Sequence, residues 1–81
     1  MSRRTAFADL RGRREELGIS LATMAAGIGL SPDIVIDIEL GDASSEMVGH
    51  YEKWLGRLEA MPVDRRLAEI FTASEGRRFQ L

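Results

Sequence analysis

Arginine and carboxylate supply most of the polar chemistry in this chain. Ten of its eleven basic residues are arginine, Lys53 being the exception. A planar guanidinium fork suits phosphate or carboxylate, although GC-rich coding would produce the same bias. Among the acids, Asp9, Glu15, Glu16, Glu46 and Glu52 can be paired on paper for proton transfer, but nothing completes a catalytic set. No nucleophile stands with a base. Gly27 and Gly29 have no preceding strand to present a phosphate-cradling loop. His50 is the only histidine and there is no cysteine, so neither a metal set nor a disulfide framework is expected, and His50 reads as a surface residue. An enzyme is therefore not expected, and no cofactor, metal or small-molecule ligand is implied. Binding to another macromolecule is the remaining chemistry.

The charge is unevenly distributed. The net charge of −2 divides into +2 over residues 1–18, −6 over residues 19–64 and +2 over residues 65–81. Arg3, Arg4, Arg11, Arg13 and Arg14 make the first segment basic, and only Lys53 and Arg57 offset the eight acids of the middle one. At 81 residues the chain is one small domain, near the size at which a core is marginal alone, so association with a partner is plausible. No apolar run approaches the roughly 20 residues of a membrane span. The opening residues MSRRTAFADLRG contain no apolar stretch or cleavage site, so no signal peptide is expected. A cytoplasmic protein is expected.

Apolar spacing and caps place these residues on helices. Helix 1 is expected from about Thr5, its N-cap, to Leu17, with Gly18 as C-cap. Ala6, Leu10, Arg14 and Leu17 share one face, with Phe7 beside them; Gly12 in mid-helix suggests a close helix crossing. Ser20 caps helix 2, Leu21 to Ile28, with Ala22, Ala25 and Ile28 inward, Met24 close by and Leu21 outward. Gly29 breaks it. Ser31 and Pro32 begin helix 3, which runs to about Glu39 and ends at Gly41. There Val35 and Ile38 face inward. Asp33, Ile36 and Asp37 share the outer face with Pro32. Helix 4, about Glu46 to Ala60, carries the stripe Met47, Tyr51, Trp54, Leu55, Leu58 and Met61 and ends at Pro62. Asp64 is the expected N-cap of helix 5, with Leu67, Ile70 and Phe71 apolar and Gly76 closing it. The expected fold is all-α, a five-helix bundle over residues 1–76 followed by a short basic and apolar tail, 77–81. Two short helices around a glycine-marked turn form a helix-turn-helix layout, whose second helix normally enters a DNA groove.

The pattern Leu10-Arg11, Arg14, Leu17-Gly18, Ser20, Ala25, Ile28-Gly29, Ser31, Val35, Ile38-Glu39 and Gly41 resembles the Xre/Cro family of phage-repressor-like helix-turn-helix domains. Specific matches cover about half the chain, roughly residues 8–42. The resemblance implies a lambda-repressor-like bundle with helices 2 and 3 as the motif. It also implies a buried bidentate pair between Arg14 and Glu39. Groove-facing positions then fall at Leu21, Pro32, Asp33, Ile36 and Asp37, where the family prefers polar or basic side chains. Arg11, Arg13, Arg3 and Arg4 would have to outweigh the two aspartates, the last pair from a flexible N-terminal arm. Backbone N–H groups at the helix starts capped by Ser20 and Ser31 could hold phosphates.

Two readings follow. The first is a small DNA-binding transcriptional regulator, a repressor that occupies operator DNA as a homodimer, of mobile-element or stress-module type. Its dimer seam would use Met47, Tyr51, Trp54, Leu58, Met61 and Phe71, although core packing is the default for Tyr51 and Trp54. The alternative is an antiactivator or antitoxin-like module that binds another protein regulator without DNA. Leu21, Ile34 and Ile36 would form its apolar patch, with Asp33 and Asp37 as an acidic rim for a basic target.

Overall fold

The computed structural model describes the backbone of residues 3–78 and the side chains of residues 9–75. Its elements are α1 (Arg3–Glu16), α2 (Leu21–Ile28), α3 (Pro32–Leu40), α4 (Ser45–Ala60) and α5 (Val63–Arg78). No strand occurs among the described residues, so the all-α class with five helices holds.

Local chemistry sets most boundaries. Ser20 Oγ accepts from the Thr23 N–H, Ser31 Oγ from Ile34 and Ser44 Oγ from Met47, so each serine supplies an acceptor to an otherwise orphaned donor. Gly29 ends α2 at a φ of 72° and Gly41 ends α3 at a φ of 86°. Both are left-handed, a conformation that a side chain disfavours. α2 and α3 therefore meet at 99° across a three-residue turn, within the range of a helix-turn-helix. Pro32 occupies the first turn of α3, where its missing N–H has no intrahelical partner to lose.

Several sequence expectations need correction. α1 begins at Arg3, so Thr5 lies inside it and Arg3 and Arg4 continue a helix backbone instead of a flexible arm. The side chains of Arg3, Arg4, Ala6 and Phe7 lie outside the described residues. Alanine, leucine and arginine all favour a helix, and nothing before Thr5 breaks one. α4 starts one residue early, capped by Ser44. α5 starts at Val63, which puts Asp64 in its first turn, and it continues through Gly76 to Arg78. One glycine lowers helix preference by only about 1 kcal/mol, and basic residues suit a helix C-terminus, so residues 76 and 77 mark no boundary.

Leu10, Ile19, Met24, Ala25, Val35, Ile38, Tyr51, Trp54, Leu55 and Leu58 form the core. α2 lies at its centre, against α3, α4 and α5. Gly27 lets the α2 backbone approach Trp54, because a Cβ there would come within 2.5 Å of the indole ring. Gly12, by contrast, has open space around it and serves no close crossing. α5 covers the core with Ile70 and Ala73 and ties to α2 through Thr23 Oγ1 and Ser74 Oγ, 2.8 Å apart. Arg66 Nε donates to the Leu58 carbonyl at 3.0 Å and satisfies the C-terminal turn of α4.

The expected dimer seam is corrected by this core. Tyr51, Trp54 and Leu58 are buried within the single chain, because the helix 4 stripe is the main wall against α1, α2 and α3. Met47 and Met61 are half-buried against the same core. Only Phe71 stands in solvent, 65% exposed, together with Val63 and Leu67 at 63% and 58%. These three follow an i, i+4, i+8 row along α5, so the exposed apolar row lies beside the covering face of Ile70 and Ala73.

Candidate functional site

The outer face of α3 meets α1 and the start of α2 in a cleft of about 560 Å³, lined by Arg11, Arg14, Glu15, Leu21, Ile36, Glu39 and Leu40. Its floor is an ion pair. Arg14 Nε lies 2.6 Å from Glu39 Oε2 and Nη2 lies 3.2 Å from Oε1, with the two side chains only 8% and 7% exposed. The remaining guanidinium donor, Nη1, reaches the Ile19 carbonyl at 2.8 Å. Tyr51 completes the arrangement from α4. Its hydroxyl is 2.5 Å from Glu39 Oε2 and 3.2 Å from the Leu10 carbonyl. The single phenolic proton serves the nearer, charged acceptor. Burial, and then the bond to Glu39, push the Tyr51 pKa well above its ordinary value of 10.0. No buried side-chain polar atom among the described residues is left unpaired. The network locks α1, α3 and α4 together beneath the cleft.

The α3 wall is apolar, and the facing wall sets Leu21 beside Arg11 and Glu15. Ile36 and Leu40 stand one turn apart on α3 and are 38% and 63% exposed. Leu21, half-buried at the first position of α2, faces them across the cleft. Ile34 does not join this patch. It packs against the core, because the helical step turns it away from Ile36, and Leu40 takes its place. The i, i+4 spacing of Ile36 and Leu40 was the sequence signal for that substitution.

The charged residues divide differently from expectation. Asp33 is exposed and Asp37 is half-buried, one turn apart alongside the Ile36–Leu40 ridge. Neither carboxylate has a hydrogen bond or ion pair among the described residues. The arginines expected to offset them are already engaged. Arg13 makes a bidentate contact with Glu59 of α4, at 2.9 and 2.6 Å. That fork lowers the Glu59 pKa below the ordinary carboxylate range. Arg11 Nε binds Glu15 at 3.2 Å, one turn along α1. Ser20 is exposed at the N-terminus of α2, and Ser31 and Pro32 are exposed at the N-terminus of α3. Tyr51 as a partner of Glu39, and Glu59 as a partner of Arg13, carry no local sequence signal, since each contact joins two different helices, across 12 and 46 positions.

Comparison with models of protein families, with curated proteins and with solved structures finds no match for this chain. Among the described residues no group of three His, Asp or Glu side chains gathers as a metal site, and no single helix is long and apolar enough to cross a membrane.

Proposed function

We infer that the helix-turn-helix surface of this protein is a protein-docking surface, and that the protein acts in the cytoplasm as an antiactivator or antitoxin-like module on another regulator. The observation that carries this reading is the apolar row of Ile36 and Leu40, which faces Leu21 across the cleft and is flanked by Asp33 and Asp37, whose carboxylates have no partner among the described residues. Contiguous apolar surface rimmed by polar residues is a feature of partner sites, and this row is a small instance of it. A phosphate backbone attracts cations, and here contacts from Arg13 and Arg11 must compete with Glu59 and Glu15. Two carboxylates at the outer face of α3 repel a polyanion and attract a basic protein surface.

A homodimeric, operator-binding repressor of the Xre/Cro type is the second reading. The observation favouring it is the 99° junction of α2 and α3, with Ser20 and Ser31 exposed at helix starts where N–H groups can face phosphate. The readings separate in a gel-shift with DNA from upstream of the protein's own gene, run from about 50 to 200 mM salt. Docking to protein predicts no retarded band even at low salt. A band that weakens steeply with salt overturns it. In a two-hybrid assay against transcription regulators encoded nearby, Ile36→Asp should abolish the productive pair while leaving the melting temperature unchanged.

A further inference from the structure

We propose that the occupant of the cleft is an amphipathic α-helix of the partner, carrying two large apolar side chains one turn apart and, beside them, two basic side chains at the same spacing. This rests on the reading of the cleft as a protein-docking surface and adds to it the partner's secondary structure and charge pattern.

The spacing of the cleft carries the inference. Ile36 and Leu40 are separated by four positions on α3, so they are neighbours along one helix face and form a ridge. Asp33 and Asp37 repeat that separation and form a second row beside the ridge, on the edge away from Arg14 and Glu39. Two parallel rows with one-turn spacing, one apolar and one anionic, match the i, i+4 repeats of a second helix lying along α3. The opposite wall is Leu21 with Arg11 and Glu15, and the contact between those two charges leaves that wall close to neutral. Charge is therefore offered on one side only, which fixes how the incoming helix is rotated: its basic row must lie over Asp33 and Asp37. The cleft is also large enough to hold inserted side chains, as ligand pockets of its size do. No strand occurs among the described residues, so there is no sheet edge to which an extended peptide could add. Helix-in-groove docking is the mode these walls support.

The floor suits this task. Glu39 has its acceptors filled by Arg14 and Tyr51, so it draws no charge from the partner. The unpaired acids at the cleft edge are Asp33 and Asp37, and the specificity is theirs.

The test uses the full chain and three synthetic peptides. One is helical, with a leucine pair at i, i+4 and an adjacent arginine pair at the same spacing. The second replaces the arginines with glutamates. The third is the basic peptide interrupted by proline. Affinity is read by fluorescence anisotropy and location by amide shifts at Leu21, Ile36 and Leu40. The basic helix should bind about tenfold or more tightly than the acidic one, the combined effect of two exposed charge contacts changing sign. Asp33→Lys with Asp37→Lys should invert the preference. Asp33→Asn with Asp37→Asn, which keeps the shape if the lysines disturb folding, should abolish it. Equal affinity for basic and acidic helices, equal affinity for the proline-interrupted peptide, or shifts away from the cleft would overturn the proposal. If the proline-interrupted peptide shifts the cleft amides as strongly, docking stands and the helix assignment fails; if the acidic helix does so, docking stands and the charge pattern fails. If none shifts them, the proposal fails, and a low-salt gel-shift band alongside that silence removes the docking reading too.

Discussion

Replacing Glu39 with glutamine should remove a large part of this protein's stability although the side-chain size is kept. The carboxylate accepts three bonds, from Arg14 Nε at 2.6 Å, Arg14 Nη2 at 3.2 Å and the Tyr51 hydroxyl at 2.5 Å. Glutamine offers one carbonyl oxygen in place of two anionic oxygens, and its NH₂ group would face a donor. Arg14 stays charged, and its Nη1 bonds the neutral Ile19 carbonyl. Its side chain is 8% exposed, so water does little to replace the lost anion. Breaking one side of such a pair costs about 3–5 kcal/mol. At about 0.05–0.15 kcal/mol per residue, a chain of this length has a total stability of roughly 4–12 kcal/mol. Each kcal/mol moves the melting temperature of so small a domain by about 4–8 °C, so the drop should be at least about 12 °C. Thermal and urea melts followed by circular dichroism measure it. Glu39→Leu combined with Arg14→Met should lose less than Glu39→Gln alone, since neither partner is then left charged. A Glu39→Gln melting temperature within about 2 °C of the parent would refute the reasoning, since a buried charge cannot be stranded so cheaply.

The other predictions follow from neighbouring features. Gly27→Ala should destabilise by about 1–3 kcal/mol in a urea melt, because the new methyl meets Trp54 at 2.5 Å and overrides alanine's better helix preference. Gly12→Ala, with open space around its Cβ, should stabilise by up to about 1 kcal/mol in the same assay. At high pH, the raised Tyr51 pKa means that its contribution is complete below the unfolded value of about 10 and is lost as pH rises toward the folded value. Tyr51→Phe should therefore flatten the alkaline fall in the urea midpoint. At low pH the sign reverses for Glu59, whose lowered pKa gives stability that is present above the ordinary carboxylate range and lost as pH falls through the folded value. The pair is about one-third exposed, so Glu59→Gln should change the acid limb by less than about 1 kcal/mol. We place any homodimer contact on α5: Leu67→Ser with Phe71→Ser should shift sedimentation from dimer to monomer, and an unchanged sedimentation coefficient would remove α5 as the seam.

What could be read from the sequence was local. Ser20, Ser31, Gly29 and Gly41 act through bonds within a few residues, so their caps and turns are legible as motifs. The inward faces of α3 and α4 follow from periodicity. Assignments that depend on which helix covers which face are harder. The stripe containing Tyr51, Trp54 and Leu58 looks the same whether it meets a second copy or the chain's own α1 and α2. Only assembly shows that α1, α2 and α3 use it up. In α5, apolar spacing predicts that Leu67 and Phe71 cover the core beside Ile70. The orientation of α5 instead places Ile70, Ala73 and Ser74 toward the core and α2, leaving the larger side chains outside. Ile19 and Thr23 are buried at a loop and a helix start, where no apolar repeat points to them. At the candidate site, the Arg14–Glu39 geometry agrees with the pairing that the Xre/Cro resemblance implied, whereas the engagement of Arg13 by Glu59 spans 46 positions and has no local signal.

α3 poses a problem that its own fold does not solve. Val35 and Ile38 are fully buried and Ile34 packs beside them, so the inward face already has all the apolar contact a nine-residue helix needs. Ile36 and Leu40 add apolar surface on the other face, where they contribute little to the core. A helix that is apolar all round normally lies between two layers, and α3 approaches this only along the Ile36–Leu40 row, since its outer face also carries Asp33 and Asp37. The chain's own α1, α2 and α4 cover the inner face, and on the proposed reading a partner covers the Ile36–Leu40 row. Polar residues at positions 36 and 40 would make α3 more soluble and leave the buried Val35 and Ile38 in place. Core packing therefore gives little reason for Ile36 and Leu40 to be apolar, and the proposed docking partner would supply one. The neighbouring aspartates extend the argument: α3 would meet a polyanion with repulsion and a basic helix with attraction. On that physical ground, the outer face of α3 is better suited to cover a basic protein segment than to enter a DNA groove.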